Sequence, residues 1–151
     1  MTITLEHIAA KQNELATLIA DFRAQTAKPT SVRFTADVTL ASGEIYAGLI
    51  LDAEGQPRHH LILLPGDAED LEWEEAKAWA IEAGGELPTR QEQALLYANC
   101  KAYFQPTWYW SSEAHDSDGS FAWSQYFGYG SQDYSLKDDP LRARAVRRLT
   151  A

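Results

Sequence analysis

The chain has 151 residues, of which 45% are apolar and 23% charged, and this composition is typical of a folded domain rather than of a disordered chain. Its formal net charge of −9 argues against nucleic-acid phosphates and against an anionic membrane surface as partners. The single cysteine excludes an intrachain disulfide, and no run of residues approaches the roughly 20 apolar residues needed for membrane insertion.

Residues 1–28 predict an N-terminal helix, because residues 4–27 contain neither Pro nor Gly and carry a regularly spaced stripe. The stripe consists of Leu5, Ile8, Gln12, Leu15, Ile19 and Phe22. This spacing is typical of a coiled coil, in which the polar Gln12 would set the register. Two interpretations are open: the stripe joins copies of the chain into a homo-oligomer, with a trimer favoured, or it packs on the chain's own domain. The segment lacks the basic and then apolar order of a signal peptide, so we expect none.

Residues 31–64 predict β-structure at the start of a domain that spans residues 31–151. The predicted strands are SVRFTADVTL over 31–40, EIYAGLILD over 44–52 and RHHLILLP over 58–65. His59 and His60 are neighbours on the third strand and should point to opposite faces. We therefore expect no metal site shared by the two.

The middle of the chain predicts two helices. The first covers residues 71–83, with Asp70 as its N-cap and Gly84-Gly85 at its end. The second follows Thr89, which forms the pattern of a capping box with Glu92. Cys100 in this second helix is predicted to be a small buried residue rather than a reactive thiol.

The chain after residue 107 predicts four short strands, WYWSS, SFAWSQYF, SQDYSLK and ARAVRRL, joined by turns at HDSDG, GYG and DDP. The order of helix, strands, two helices and strands gives an α+β fold. On the strand SFAWSQYF, Trp123 and Phe127 share one face, whereas Ser124 and Tyr126 share the other.

The residues that could take part in metal binding or catalysis are predicted to have structural roles instead. The run Asp116–Gly119 starts like a calcium loop, but Phe127 stands where the last acidic ligand belongs, so we predict a turn. Ser111 and Ser112 lack the frame of a serine nucleophile, and His115 is expected on a loop. We therefore predict no catalytic residue, no metal and no cofactor.

The basic cluster near the end of the chain is predicted to be structural rather than an anion site. It consists of Arg142, Arg144, Arg147 and Arg148. We expect these guanidinium groups to pair with carboxylates of the first predicted helix after residue 70 and to stack on tryptophans.

Several motifs occur in an order that resembles one known family. They are Glu86-Leu87-Pro88-Thr89-Arg90, Tyr109-Trp110-Ser111-Ser112, Ala122-Trp123, Phe127, Gly130, Lys137 and Arg144-Ala145-Val146-Arg147-Arg148. From about residue 45 to residue 149 the chain resembles the Lcl C-terminal-like domain family, which is placed with the C-type-lectin fold in its formylglycine-generating-enzyme branch. It is most similar to a short version of this domain carried by phages and prophages.

The resemblance implies a C-type-lectin-like fold, in which two helices flank a small, twisted, mostly antiparallel sheet, here preceded by the N-terminal helix. It places Trp110, Trp123 and Phe127 in the core and a ligand surface on the late strands and loops. Catalytic members of the branch need a copper-binding cysteine pair, whereas this chain has only Cys100, so we expect no enzyme. The calcium and sugar motifs of calcium-dependent lectins are also absent. A phage origin implies a location in the virion or the bacterial host cytoplasm.

The remaining late aromatic and polar residues predict a recognition surface. The predicted ligand-binding residues are Ser124, Tyr126, Tyr129, Gln132, Asp133 and Tyr134. Tyr offers a large, stiff contact area, and Ser, Gln and Asp supply adaptable hydrogen bonds. The alternative is that a small β-rich domain exposes some tyrosines without functional consequence.

We therefore expect a non-enzymatic module that binds a protein or a cell-surface ligand. A structural virion component and an intracellular phage effector that binds a host protein are the alternatives.

Overall fold

A computed structural model describes residues 4–26 and 37–151. The chain divides into two compact units, the first of which contains helix α1, Leu5–Thr26. The predicted N-terminal helix is therefore confirmed, and no residue within α1 is buried. The strand predicted over 31–40 begins outside the described residues, and its described part, 37–40, forms no strand. No helix in these two described ranges combines the length and the apolar character needed to cross a membrane.

Residues 37–151 form eight strands and two α-helices, which confirms the α+β class. The elements are β1 Ile45–Leu51, β2 Pro57–Leu63, β3 Ala68–Leu71, α2 Trp73–Glu82, α3 Arg90–Cys100, a 3₁₀-helix Lys101–Tyr103, β4 Trp108–Ala114, β5 Phe121–Tyr126, β6 Gln132–Leu136, β7 Leu141–Ala143 and β8 Val146–Thr150.

The strands form two sheets where one small sheet was expected. One sheet has the order β1-β2-β8 and is antiparallel, and the other has the order β3-β7-β4-β5-β6, in which only β4 and β7 are parallel. The last strand predicted at ARAVRRL is confirmed as β8 from Val146 onward, but its predicted start is wrong, because Ala143 ends β7 and the chain crosses from one sheet to the other at residues 144–145. There the Leu64 N–H donates to the Ala145 carbonyl at 2.9 Å, and Val146 bridges to Glu86.

Helices α2 and α3 lie on opposite faces of the five-stranded sheet. Tyr109 and Trp110 are consecutive on β4, so their side chains point to opposite sides. Trp110 packs in one apolar cluster with Ala76 and Ala80 of α2, whereas Tyr109 packs in a second cluster with Leu96 of α3. The two helices therefore pack against opposite faces of this sheet.

The helix boundaries follow local capping with one exception. The Thr89–Glu92 capping box is confirmed, since the Glu92 N–H donates to Thr89 Oγ1 at 3.2 Å and the Thr89 N–H donates to the Glu92 carboxylate at 2.8 Å. The prediction that Asp70 caps α2 is wrong. Asp70 lies in β3 with a φ of 56°, and Glu72 is the N-cap of α2. Pairing of β3 with β7 continues through Leu71, and this delays the start of the helix.

The four late arginines make structural contacts, but their partners differ from those predicted. Arg147 Nε donates to Glu44 at 2.6 Å, and Arg148 Nε donates to Glu92 at 2.6 Å, so the carboxylates come from outside α2. Hydrogen bonds from Arg147 and from the backbone of Ala41 lower the pKa of Glu44 to about 2. The predicted stacking on tryptophans is also wrong, because Arg144 lies over the ring of Phe104, at 5.4 Å.

Candidate binding surface

The late strands are held to α3 by a relay of glutamine side chains. Gln132 Nε2 donates to Gln125 Oε1 and to the Arg90 carbonyl, both at 2.7 Å. Gln125 then donates to the Gln93 carbonyl at 3.0 Å, and Gln93 donates to the Tyr109 carbonyl at 3.0 Å. Predicted as a ligand residue, Gln132 is half-buried and its amide is engaged in this relay, which fixes β5 and β6 on the helix.

The turn after β5 presents one tyrosine to solvent. A side chain at Gly128 would collide with the ring of Tyr126, and a Cβ at Gly130 would lie 2.8 Å from the ring of Tyr97. Gly130 also has a φ of 84°, which disfavours any other residue. Both glycines are therefore required for the turn to fit between the two rings, and Tyr129 at its tip is 73% exposed.

Three aromatic rings form a continuous surface beside this turn, which we call the tyrosine patch: Trp108, Tyr126 and Tyr129. The centroids of Trp108 and Tyr126 are 5.5 Å apart, and those of Tyr126 and Tyr129 are 4.6 Å apart. Trp108 was not predicted as a site residue. The signal that would have found it is the register of the β4–β5 hairpin, which places Trp108 directly opposite Tyr126.

A pocket of about 290 Å³ opens next to the tyrosine patch and shares Trp108 with it. Glu69 and Asp70 of β3 line one side, and Leu141 and Arg142 of β7 line another. The patch and the pocket together make an aromatic and charged surface at one end of the five-stranded sheet.

The sixth predicted ligand residue, Tyr134, lies on the opposite face of the sheet. It is 47% exposed, and its ring meets the edges of Trp123 and His115 at centroid distances of 5.6 and 4.7 Å. Trp123 is half-buried rather than a core residue, which corrects the prediction. Its ring packs against the Arg90 guanidinium at 3.5 Å, since α3 begins at Arg90 and covers the sheet only beyond that residue. Trp110 and Phe127 are buried as predicted.

Ser124 is fully buried, which corrects its prediction as a surface residue. It shares a sheet face with Tyr126, but it lies opposite Trp110 under α2, and its hydroxyl donates to the Asp133 carbonyl at 3.3 Å. Asp133 is exposed, and its Oδ1 accepts from the Tyr134 N–H at 2.8 Å. Of the six predicted ligand residues, the structure therefore brings only Tyr126 and Tyr129 together in one exposed surface.

The carboxylates of Asp133 and Asp139 accept hydrogen bonds from backbone N–H groups of β6, the edge strand of the sheet among the described residues. Bonds from Tyr126 N–H to the Ser131 carbonyl and from Lys137 N–H to the Ser120 carbonyl fix which residues face β5. By alternation, the N–H groups of Tyr134 and Leu136 point away from β5. The first donates to Asp133 and the second to Asp139 Oδ2, at 3.1 Å.

Replacing both Asp133 and Asp139 with alanine is expected to make the chain associate with increasing concentration, because two unpaired N–H groups on an edge strand invite pairing with another chain. Sedimentation velocity over a wide concentration range measures this. The matched control replaces the exposed Asp116 and Asp138 with alanine, which gives the same change in net charge. Equal association of both variants would contradict the role given to Asp133 and Asp139.

The histidines of β2 and the cysteine of α3 are engaged within the fold. His59 Nε2 bonds to Glu92 at 2.7 Å, and His60 Nδ1 bonds to the Tyr46 hydroxyl at 2.8 Å, so the two histidines point apart as predicted. Cys100 is buried, also as predicted, and burial raises the pKa of its thiol. Within residues 4–26 and 37–151, no three His, Cys, Asp or Glu side chains are grouped in a way that suits a metal ion.

No protein-family model matches this chain, and no curated protein sequence matches it.

Proposed function

We propose that this chain is a non-enzymatic binding module of phage or prophage origin that recognises a protein or cell-surface ligand through the tyrosine patch. We further propose that residues 37–151 have a C-type-lectin-like fold and that residues from about 45 to 149 are a short Lcl C-terminal-like domain. The order of the family motifs supports this assignment, as does the position of two helices on opposite faces of one sheet.

The observation that carries the proposal is the exposure of Tyr129 on a turn that its flanking glycines hold in place. An exposed aromatic ring contributes little to the stability of its own fold, whereas it offers a large contact area to a partner. Because the turn is packed between Tyr126 and Tyr97, little conformational entropy remains to be lost when a ligand binds. Preorganised aromatic residues of this kind are typical of recognition surfaces.

The stripe of α1 supports self-association into a homo-oligomer, for which we favour a trimer. The apolar side chains of this stripe are largely exposed on α1: Leu5 is 86% exposed and Phe22 is 65% exposed. Packing of identical stripes from several copies would bury these side chains, with Gln12 setting the register. An oligomer would also present several tyrosine patches at once, so that weak individual sites combine to a higher overall affinity.

Replacing Ile8 and Leu15 with aspartate is expected to convert the oligomer to monomer, because two charges per helix would enter the apolar seam. Sedimentation equilibrium measures the mass. The control replaces both Lys11 and Glu14 with glutamine. These two residues lie outside the stripe and form an ion pair at 2.6 Å. A wild-type chain that is already monomeric at high concentration would contradict the proposed oligomer.

Replacing Tyr126 and Tyr129 with alanine is expected to abolish ligand binding without unfolding the domain. The immobilised wild-type chain is exposed to a soluble lysate and to surface fractions of the bacterial host, and any retained partner is purified and its affinity measured directly. The matched control is Tyr134→Ala, which removes an equally large ring from the opposite face of the sheet. A purified partner that binds the double variant as tightly as the wild type would refute the tyrosine patch as the site.

The same experiment separates the alternative functions. A partner in the surface fraction supports a receptor-binding role, and a partner in the soluble lysate supports an intracellular effector. Recovery of the chain in purified phage particles, combined with failure to bind either fraction, would favour a structural virion component.

A further inference from the structure

The pocket beside Trp108 carries an excess of negative charge. Its one lining cation is Arg142, whose Nε donates to Asp67 Oδ1 at 3.2 Å and whose Nη1 donates to Glu69 Oε2 at 2.7 Å. Asp70 lines the same pocket, and among the described residues its carboxylate accepts no hydrogen bond. The pocket lining therefore holds two carboxylates, Glu69 and Asp70, and one guanidinium that is already paired with Asp67 and Glu69, in a chain with a net charge of −9.

Trp108 forms an aromatic wall of the pocket. Two other tryptophans of the described chain each have a cation over the ring: Lys77 lies 3.8 Å above the ring of Trp73, and Arg90 lies 3.5 Å above that of Trp123. No lysine or arginine of residues 4–26 or 37–151 lies over Trp108. Trp is the aromatic residue that attracts cations most strongly, and the adjacent carboxylates add to this attraction.

We propose that this pocket binds a lysine or arginine side chain of a protein partner, and that the residues next to it in the partner lie on Tyr126 and Tyr129. This inference rests on the proposed function and specifies its ligand as a basic peptide segment. Charge complementarity supports the choice, since the free carboxylate of Asp70 lies in the same pocket as the cation-free ring of Trp108. A volume of about 290 Å³ suits one side chain rather than a folded segment.

The test titrates the isotope-labelled full chain with two eight-residue peptides, one alternating lysine and glycine and the other alternating glutamate and glycine. We expect the basic peptide to shift the NMR signals of the Trp108 indole N–H and the Asp70 and Glu69 amides, and the acidic peptide to leave them unchanged. The affinity should fall as salt is added, because the pocket is open to solvent.

The variant Asp70→Asn is expected to weaken binding of the basic peptide about fivefold, as for the loss of one exposed ion pair. It should remain folded, because Asn adopts the positive φ of this position at least as readily as Asp. The control Glu82→Gln removes one charge at an exposed position of α2 and should leave the affinity unchanged. Trp108→Ala should weaken binding by a similar or larger factor.

Equal affinity of wild type and Asp70→Asn for the basic peptide would overturn the cation pocket. The cation pocket would also be overturned if the basic peptide does not bind while a purified partner binds through Tyr126 and Tyr129. In that case the tyrosine patch would remain the binding site, but for another class of ligand. Signals that shift with a neutral oligosaccharide such as chitotriose, and not with the basic peptide, would reassign the pocket to a sugar. An inert peptide together with a partner that ignores the tyrosine patch would overturn both proposals.

Discussion

Replacing Trp110 with alanine is expected to lower the free energy of unfolding of the domain by about 3–5 kcal/mol. The indole is 0% exposed and packs between α2 and the five-stranded sheet, so its removal leaves a cavity that the surrounding residues cannot fill completely. Its Nε1 also donates to the Leu71 carbonyl at 2.8 Å, which ties β4 to β3. Because a domain of this size is stable by only about 5–15 kcal/mol, this one substitution removes a large share of the total.

The matched control for this substitution is Trp108→Ala, two residues earlier on β4 and on the same face. Trp108 is half-buried at the periphery, so its loss should cost about 1 kcal/mol or less, near the level of a surface substitution. Trp110→Phe keeps one aromatic ring in the core but removes the indole N–H that donates to Leu71, for an expected loss of about 1 kcal/mol beyond the loss of packing. Urea unfolding followed by circular dichroism gives all three values. Equal losses for Trp110→Ala and Trp108→Ala would contradict this division between core and surface.

The elements that could be predicted from sequence are those whose signals lie close together in the chain. The capping box of Thr89 and Glu92 fixes the start of α3 from residues three positions apart. The alternating apolar residues around β1 and β2 likewise identify a hairpin. β3 was missed because its sequence, AEDL, is short and polar, and it becomes a strand only by pairing with β7, about 70 residues away in the chain.

Alternation along β5 predicted which side chains share a face but not how far each helix covers that face. Ser124 and Tyr126 point the same way, yet only Ser124 lies under the α2 cluster, and Tyr126 reaches the surface. Trp123 was assigned to the core because the family resemblance places it there, and no local pattern shows that its ring lies against Arg90 at the first residue of α3. The amide of Gln132 finds its partner on Arg90, 42 positions earlier, and no pattern in the sequence carries such a contact.

The second large effect is expected at Glu92, whose replacement by glutamine should lower the free energy of unfolding by about 3–5 kcal/mol. The carboxylate is 1% exposed, and both of its oxygens are engaged. Oε1 accepts from Arg148 Nε at 2.6 Å and from His59 Nε2 at 2.7 Å, and Oε2 accepts from Arg148 Nη2 and the Thr89 N–H, each at 2.8 Å. A neutral amide in this position turns one acceptor into a donor and removes the buried counter-charge of Arg148, which is then left with the exposed carboxylate of Glu86.

A double-mutant cycle with Arg148→Met separates the ion pair from the rest of this network. Removing either partner alone should be costly, because the other charge remains within the fold, and the double variant should be more stable than the sum of the two losses predicts. The matched control is Glu74→Gln, which removes a carboxylate from an exposed pair with Lys77 and should cost well under about 1 kcal/mol. Additive losses at Glu92 and Arg148 would contradict the coupling.

The acid stability of the domain should depend on the same carboxylate. Burial alone would raise the pKa of Glu92, but hydrogen bonds from Arg148, Thr89 and His59 outweigh it and hold this pKa below the ordinary value of 4.5. A carboxyl whose pKa is lower in the folded than in the unfolded state stabilises the fold above its unfolded pKa, and this stability is lost as the pH falls through the folded pKa. Glu44, with a pKa of about 2, adds to the same trend.

Wild-type stability should therefore fall steeply when the pH is lowered from about 4.5 towards 2, the interval between the ordinary pKa and the lowered value of Glu44. Glu92→Gln should flatten this slope while lowering stability at neutral pH, because it removes one of the groups that must take up a proton. Urea midpoints measured from pH 7 to pH 2 give both quantities. A variant with lower stability and an unchanged slope would show that Glu92 acts through packing alone, with no contribution from its charge.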